Sequence, residues 1–383
     1  MQEKKNDKKT IDRDSSIELL KIIAIILVVV SHVIQTLREA NPYISYNDYI
    51  IDLSVATTNS RNFILTLFSY FGVLGNTIFF ICSSWFLLHS SKYKKQKCFF
   101  ILFEVWFISI VILLMTYLIR HGNISGKVII QSIFPTTFMN NWYLTCYLLF
   151  YPIHPILNSI IHKMNKQQLF RTSSTLFILY SCLCFIKNDL FFSSEIILWI
   201  AIYFVMAYLQ LYMVSFVDNI KHNFILLFVG LIGYIGIAFL ANILGLHISF
   251  LTDKVLRWIT NCNPFLILIS IALFNLMRKL TLKNRSINYI SSLSLLIYII
   301  HENLLLRIYY RTAIWNYIYQ NYGYENLILW VFVLVTLVFT FGLICSVIYD
   351  KTLRRIIRKI SDSTYFRIRK YYLKAEAILL KYH

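Results

Sequence analysis

Two histidines lie inside long apolar stretches of the chain, His32 within 17–37 and His301 within 287–306. An ionisable side chain at membrane depth costs several kcal/mol, so each is a functional candidate by default. Histidine is the side chain whose ordinary pKa suits proton transfer near neutral pH, which makes general-base or nucleophilic chemistry the natural expectation. His32 shares its stretch with Glu18 and Lys21. Lys21 and His32 are eleven residues apart, about three full helical turns, so they share a face and differ in depth by roughly 16 Å. Glu18 stands one turn before Lys21 and can pair with it. Spacing alone serves an interfacial anchor made of Glu18 and Lys21 equally well. His301 lies about fourteen residues into its stretch and His32 about fifteen into its own, so parallel helices would hold them at similar depth. Tyr298 and Glu302 flank His301. The competing reading is a pair of hydrogen-bonded core histidines.

Other polar groups in apolar surroundings are secondary candidates. Asn76, Thr77, Ser83 and Ser84 could line a cavity, although Ser and Thr also mediate ordinary helix packing. Glu104 is expected to pair with a nearby Lys or Arg. Asn141-Trp142-Tyr143 opens a span, where an interfacial aromatic belt is an equal explanation. His154 sits between Pro152 and Pro155, and a structural role is expected for it. The seven cysteines form no CxxC pair and read as packing residues, with no disulfide framework and no metal site. There is no phosphate-binding glycine loop, nucleophile elbow, HExxH or dinucleotide turn.

The elements that must carry these residues are membrane helices. Of the 383 residues 58% are hydrophobic and only 14% charged, against about 25% charged in soluble domains. Mean hydropathy is +0.63. Continuous apolar runs of about 20 residues fit spanning helices and not the alternating strands of a barrel. Ten spans are predicted: 17–37, 62–89, 98–119, 142–161, 172–187, 194–215, 223–245, 263–278, 287–306 and 326–349. The stretch 246–262 is mixed and could hold a short interfacial helix. With both termini cytoplasmic, the inner segments hold 27 Lys and Arg and the outer loops nine, a strong positive-inside bias. The chain thus divides into a cytoplasmic segment 1–16, a ten-helix membrane domain 17–349 and a basic tail 350–383. The first apolar run is too long for a cleaved signal peptide and should remain as a span. The net charge of +19 falls mostly on cytoplasmic loops and on a tail resembling a membrane-surface amphipathic helix. Membrane lipids are therefore the expected partners, and nucleic acid is not.

Four stretches together resemble the acyltransferase 3 family of bacterial integral-membrane O-acyltransferases. Ile17-Glu18-Leu19-Leu20-Lys21 through Ser31-His32 resembles the family's opening helix, an acidic residue followed by a basic residue and, after ten more, histidine. Phe79-Phe80-Ile81-Cys82-Ser83-Ser84-Trp85-Phe86-Leu87 is similar to its Phe-Phe-x-x-Ser-Gly-aromatic-Leu stretch. Trp142-Tyr143-Leu144 through Tyr151 and Pro155 resembles its Trp-Tyr-Leu helix. Ser291 through Ser294 with Ile297-Tyr298-Ile299-Ile300-His301 resembles its closing stretch. The chain departs from the pattern in having Lys21 where Arg is usual, which keeps charge but loses a bidentate fork to phosphate. Ser84 stands where Gly is usual, and His89 or Lys92 would have to serve as the basic residue after the second helix.

The resemblance implies a stand-alone enzyme that moves an acyl group, most simply acetyl, from cytoplasmic acyl-CoA to a hydroxyl of an envelope or capsular polysaccharide. The acceptor would be the glycan or a lipid-linked sugar, no metal would be needed, and the site would lie in the bacterial plasma membrane. It implies His32 as general base, or as carrier of a transient acyl group, and His301 as the residue that orients the acceptor or stabilises the oxyanion. Tyr298 or Ser83 would help there, while Glu18, Lys21, Lys92 and Trp142 would contact substrates. The rivals are a transporter or polymerase of lipid-linked oligosaccharide, and a sensor or resistance protein on the same fold.

Overall fold

The computed structural model describes residues 14–39, 56–90, 93–186, 195–252, 262–323 and 326–379. Lys92 lies outside them. The regular structure of the described residues is all helical, without a strand. The first half comprises α1 (Ser15–Glu39), α2 (Ser60–Phe68), α3 (Phe71–Leu87), α4 (Lys95–Ile119), α5 (Gly126–Ile133) and α6 (Trp142–Ile161). Next, α7 (Lys166–Phe177) runs through a π segment at Ile178–Leu183 into α8 (Cys184–Ile186), and α9 (Glu195–Tyr212), α10 (Val214–Asp218) and α11 (Ile220–His247) follow. The last part holds α12 (Pro264–Arg278), α13 (Arg285–Ser292), α14 (Ser294–His301), a π segment at Leu306–Arg311, α15 (Thr312–Tyr322), α16 (Leu327–Thr352) and α17 (Arg354–Leu379).

Eight of the helical stretches are long and apolar enough to cross a membrane. The predicted eighth span is the 15-residue α12, opened by Pro264 behind the Asn263 side chain, which accepts from the Phe265 and Leu266 amides. The predicted ninth span is not one helix. It is jointed at Leu293 and stops at His301. The stop is local chemistry: Asn303 Oδ1 accepts from the Leu305 amide at 3.1 Å and caps the next helical segment. The predicted second span is likewise two helices, α2 and α3.

The first helix is central, packed on α3, α12, α13, α14 and α16. Its Ala24, Val29 and Val33 are fully buried. Two glycines of α3 permit that approach. A methyl group at Gly72 would sit 2.7 Å from Ser31 Oγ, and one at Gly75 would collide with the Ala24 carbonyl oxygen. The register of α1 against α13 and α14 is set at their common start, where the Asn284 amide donates to Ser15 Oγ at 2.8 Å. Ser16 Oγ donates to the Leu280 carbonyl at 2.6 Å beside it. Each histidine lies 17 residues beyond its partner in that contact, His32 after Ser15 and His301 after Asn284.

Candidate active site

The register brings the two histidines into contact. His32 Nδ1 lies 3.1 Å from His301 Nε2, and the rings stack with centroids 5.3 Å apart. Both are buried. His301 Nδ1 sits 2.7 Å from the Ile297 carbonyl, one turn back in α14. A carbonyl only accepts, so Nδ1 of His301 carries the proton and its Nε2, in the neutral ring, presents a lone pair. His32 Nδ1 must then donate, which leaves His32 Nε2 with a lone pair of its own. Nε2 of His32 has no hydrogen-bond partner among the described residues. It is the one ring nitrogen of the pair left without a partner among the described residues.

Glu302 completes the cluster. Its Oε2 is 2.8 Å from His32 Nδ1, an ion-pair distance, although the N–H points at His301 and the carboxylate oxygen lies off that line. Arg307 Nη1 holds Oε1 at 3.0 Å, and Arg311 Nη2 stands 3.6 Å from Oε2. Buried charge is tolerated where it is paired and hydrogen-bonded, and here a carboxylate is met by two guanidiniums.

Arg311 was not anticipated, because the sequence places it in an outer loop. It lies on the π segment, 4% exposed. Its Nη1 donates to the His32 carbonyl at 3.1 Å and to Thr36 Oγ1 at 3.0 Å, and its Nη2 donates to the His301 carbonyl. The stop after His301 leaves carbonyls without helical partners, and Arg311 answers one of them while tying α14 to α1. A histidine and a carboxylate followed by two arginines within eleven residues, 301–311, was the available signal.

The remaining predicted residues divide by depth. Lys21 Nζ lies 3.1 Å from Glu18 Oε1, as their spacing suggested, and the other Glu18 oxygen accepts from Ser291 Oγ. Ser83 lies eight residues past Gly75, about 12 Å nearer the Lys21 end, so it does not stand beside His32. Tyr298 stands beside His301: its ring is 5.9 Å from that of His301 and 6.1 Å from that of Tyr143. Trp142, Asn76 and Thr77 line one cleft together with Glu195 and Trp199. His89 bonds Gln210 at 2.9 Å, and His154 bonds the Tyr151 carbonyl inside an unbroken α6. Glu104 finds its cation in Arg354, at 2.9 Å.

His32, His301 and Glu302 also offer ligand atoms within 4.8 Å of one another, a donor set that could hold a metal ion. The carboxylate is at the same time engaged by both arginines.

Fold and site together define a polytopic helical membrane protein with a buried, carboxylate-supported histidine pair. The family described as an acyltransferase domain, acyltransferase 3, matches residues 14–349, and the chain belongs to it. The protein is a membrane acyltransferase. Neither a curated protein nor a solved structure matches the chain.

Proposed function

We propose that the enzyme transfers an acyl group, acetyl in the simplest case, from acyl-CoA at the cytoplasmic face to a hydroxyl of a cell-envelope or capsular polysaccharide. The observation that carries this reading is the orientation of the pair, which leaves His32 Nε2 unengaged while Nδ1 is held by His301 and Glu302. Such a nitrogen is a general base. It takes the proton of the acceptor hydroxyl as that oxygen attacks the thioester carbonyl, and Glu302 stabilises the imidazolium that forms. Collapse of the tetrahedral intermediate breaks the C–S bond, and the departing thiolate takes the proton from His32. Tyr298, whose ring faces His301, would donate its hydroxyl to the oxyanion.

The Glu18–Lys21 pair lies roughly 16 Å from His32 along α1, on the side that the charge distribution makes cytoplasmic. That span suits the phosphate end of the donor at Lys21 with the thioester at His32. The enzyme would then reside in the bacterial plasma membrane, with donor and acceptor arriving from opposite faces.

Envelope-glycan mass spectrometry of cells with and without the gene tests the proposal. Loss of an acyl increment at unchanged chain length is expected. A shortened or missing polymer would instead point to transport or polymerisation, and unchanged glycan in every fraction would remove the polysaccharide acceptor from consideration.

A further inference from the structure

Three donor groups meet at the histidine pair. His32 Nδ1 lies 3.1 Å from His301 Nε2 and 2.8 Å from Glu302 Oε2, and the three residues offer ligand atoms that all lie within 4.8 Å of one another. Zinc bonds of about 2.0–2.1 Å place neighbouring tetrahedral ligand atoms roughly 3.3 Å apart, so the two short contacts need open by only about half an ångström or less. The Glu302 side chain is 6% exposed, and its Oε2 accepts no hydrogen bond among the described residues. Arg307 holds the other carboxylate oxygen. Arg311, 3.6 Å from Oε2, donates instead to the carbonyls of His32 and His301 and to Thr36.

His301 is already oriented as a metal ligand. Its Nδ1 donates to the Ile297 carbonyl, the outer contact that fixes the tautomer and ring direction of most zinc-bound histidines, and its Nε2 turns a lone pair into the cluster. Two imidazoles and one carboxylate are the donors of an open zinc site. Imidazole nitrogen favours zinc, cobalt or copper over magnesium and calcium, which prefer oxygen. The two guanidiniums oppose a further cation nearby, so the hold is that of a reversible site, about micromolar and far weaker than structural zinc. We propose that His32, His301 and Glu302 form an inhibitory site for a zinc-type divalent cation. The ion takes the place of the hydrogen shared by the two rings. His32 stays neutral, its proton moves from Nδ1 to Nε2, and the lone pair that a general base needs there is gone. The inhibition, unlike the binding, rests on the reading of His32 as the base of acyl transfer.

The test uses the full chain in nanodiscs, stripped with EDTA and titrated with Co²⁺ alone, whose visible absorption reports the geometry of its donors. Saturable absorption at one cobalt per chain is expected, displaced by Zn²⁺. Glu302→Gln and His301→Gln should each weaken binding by more than the about 10–100-fold that loss of an outer contact costs. Should either variant fold poorly, zinc X-ray absorption of the parent chain decides. A nitrogen and oxygen shell with imidazole scattering is expected, and a sulfur shell from the cysteines would overturn the proposal. So would the absence of saturable absorption, or cobalt binding unchanged in both variants. In membrane vesicles, acetyl transfer from acetyl-CoA should stop at the Zn²⁺ concentration that fills the site and return with EDTA. Transfer that persists with the site filled would overturn the inhibitory role. Cobalt bound at these residues in a chain whose deletion leaves envelope acylation intact would keep the metal site and remove the acyl-transfer reading instead.

Discussion

The His32–His301 hydrogen bond has a direction, because His301 Nδ1 is already committed to the Ile297 carbonyl at 2.7 Å. His301 therefore accepts and His32 donates, and the two imidazoles have different jobs. His32→Ala should lower transfer by roughly 10²–10⁴-fold, the usual worth of a general base. His301→Gln can still accept from His32 through its amide oxygen and should lose less than His301→Leu, whose loss should be about 10–100-fold, as for other ligand-orienting partners. Acylation rates of the three variants, normalised to the amount of protein in the membrane, decide this. Equal losses in His301→Gln and His301→Leu would contradict an accepting role.

Arg311 binds the carbonyls of both histidines and faces Glu302. Arg311→Met strips the carboxylate of one of its cations and should destabilise the fold by about 3–5 kcal/mol, the cost of breaking a buried pair. Arg311→Lys keeps the charge, but one ammonium cannot replace a planar fork reaching α1 and α14 at once. Thermal unfolding in detergent should therefore improve only partly in Arg311→Lys over Arg311→Met, with activity low in both.

How far the site could be read from sequence follows from which interactions are periodic. Equal depth of His32 and His301 was legible, because both follow from counting along parallel apolar helices, and the Ser15–Asn284 contact makes that count hold. The Glu18–Lys21 pair was legible from its three-residue spacing. The stop at His301 was not, because hydropathy runs through it; only the capping potential of Asn303 marked it. Without the stop, Arg311 falls outside the span and its return to His32 is invisible. Ser83 shares an apolar run with Asn76, yet pairing α3 against α1 puts it at the Lys21 end. Partner choice across the chain, such as Glu104 with Arg354, depends on packing that no local spacing encodes.

Gly75 lets α3 lie against the α1 backbone. Gly75→Ala places a methyl group on the Ala24 carbonyl oxygen, which is backbone and cannot turn away, so the helices must part. His32, carried on α1, shifts with them, and both stability and transfer should fall. Gly236 has nothing within 4 Å of an added methyl group. Gly236→Ala should be neutral or stabilising by up to about 1 kcal/mol. Unfolding temperatures and acylation rates of the two single variants provide the comparison, and a tolerant Gly75→Ala would mean that the α1–α3 contact is looser than described.

Glu104 is fully buried in α4 and paired with Arg354 at the start of α17, while Arg354 also holds Asp350 at 2.9 Å. Nearby, Arg358 lies over the Phe100 ring at 4.6 Å and Gln96 bonds Asp362 at 2.7 Å, so α17 docks on the start of α4. Arg354→Gln alone leaves the Glu104 carboxylate uncompensated and should cost toward the lower end of about 3–5 kcal/mol, since Arg354 is partly exposed. The double variant Glu104→Gln with Arg354→Gln removes both charges and should recover much of that loss. A double variant no better than Arg354→Gln would show that the arginine acts through Asp350 instead.

Asp218 lies in the short α10 between two spans and receives Lys279 Nζ at 3.1 Å together with Arg278. The hydrogen bond from Lys279, reinforced by Arg278, holds the carboxyl below its ordinary value of 3.8. A carboxyl whose pKa is depressed on folding adds stability above its unfolded value, and that contribution disappears as pH falls through the folded value. Asp218→Asn should therefore melt below the parent at pH 7, by a modest margin because the side chain is 39% exposed. The two melting curves should converge as pH falls below the ordinary carboxyl range. A constant gap between them from pH 7 to the acid limit would show that Asp218 contributes through packing or a neutral hydrogen bond and not through its charge.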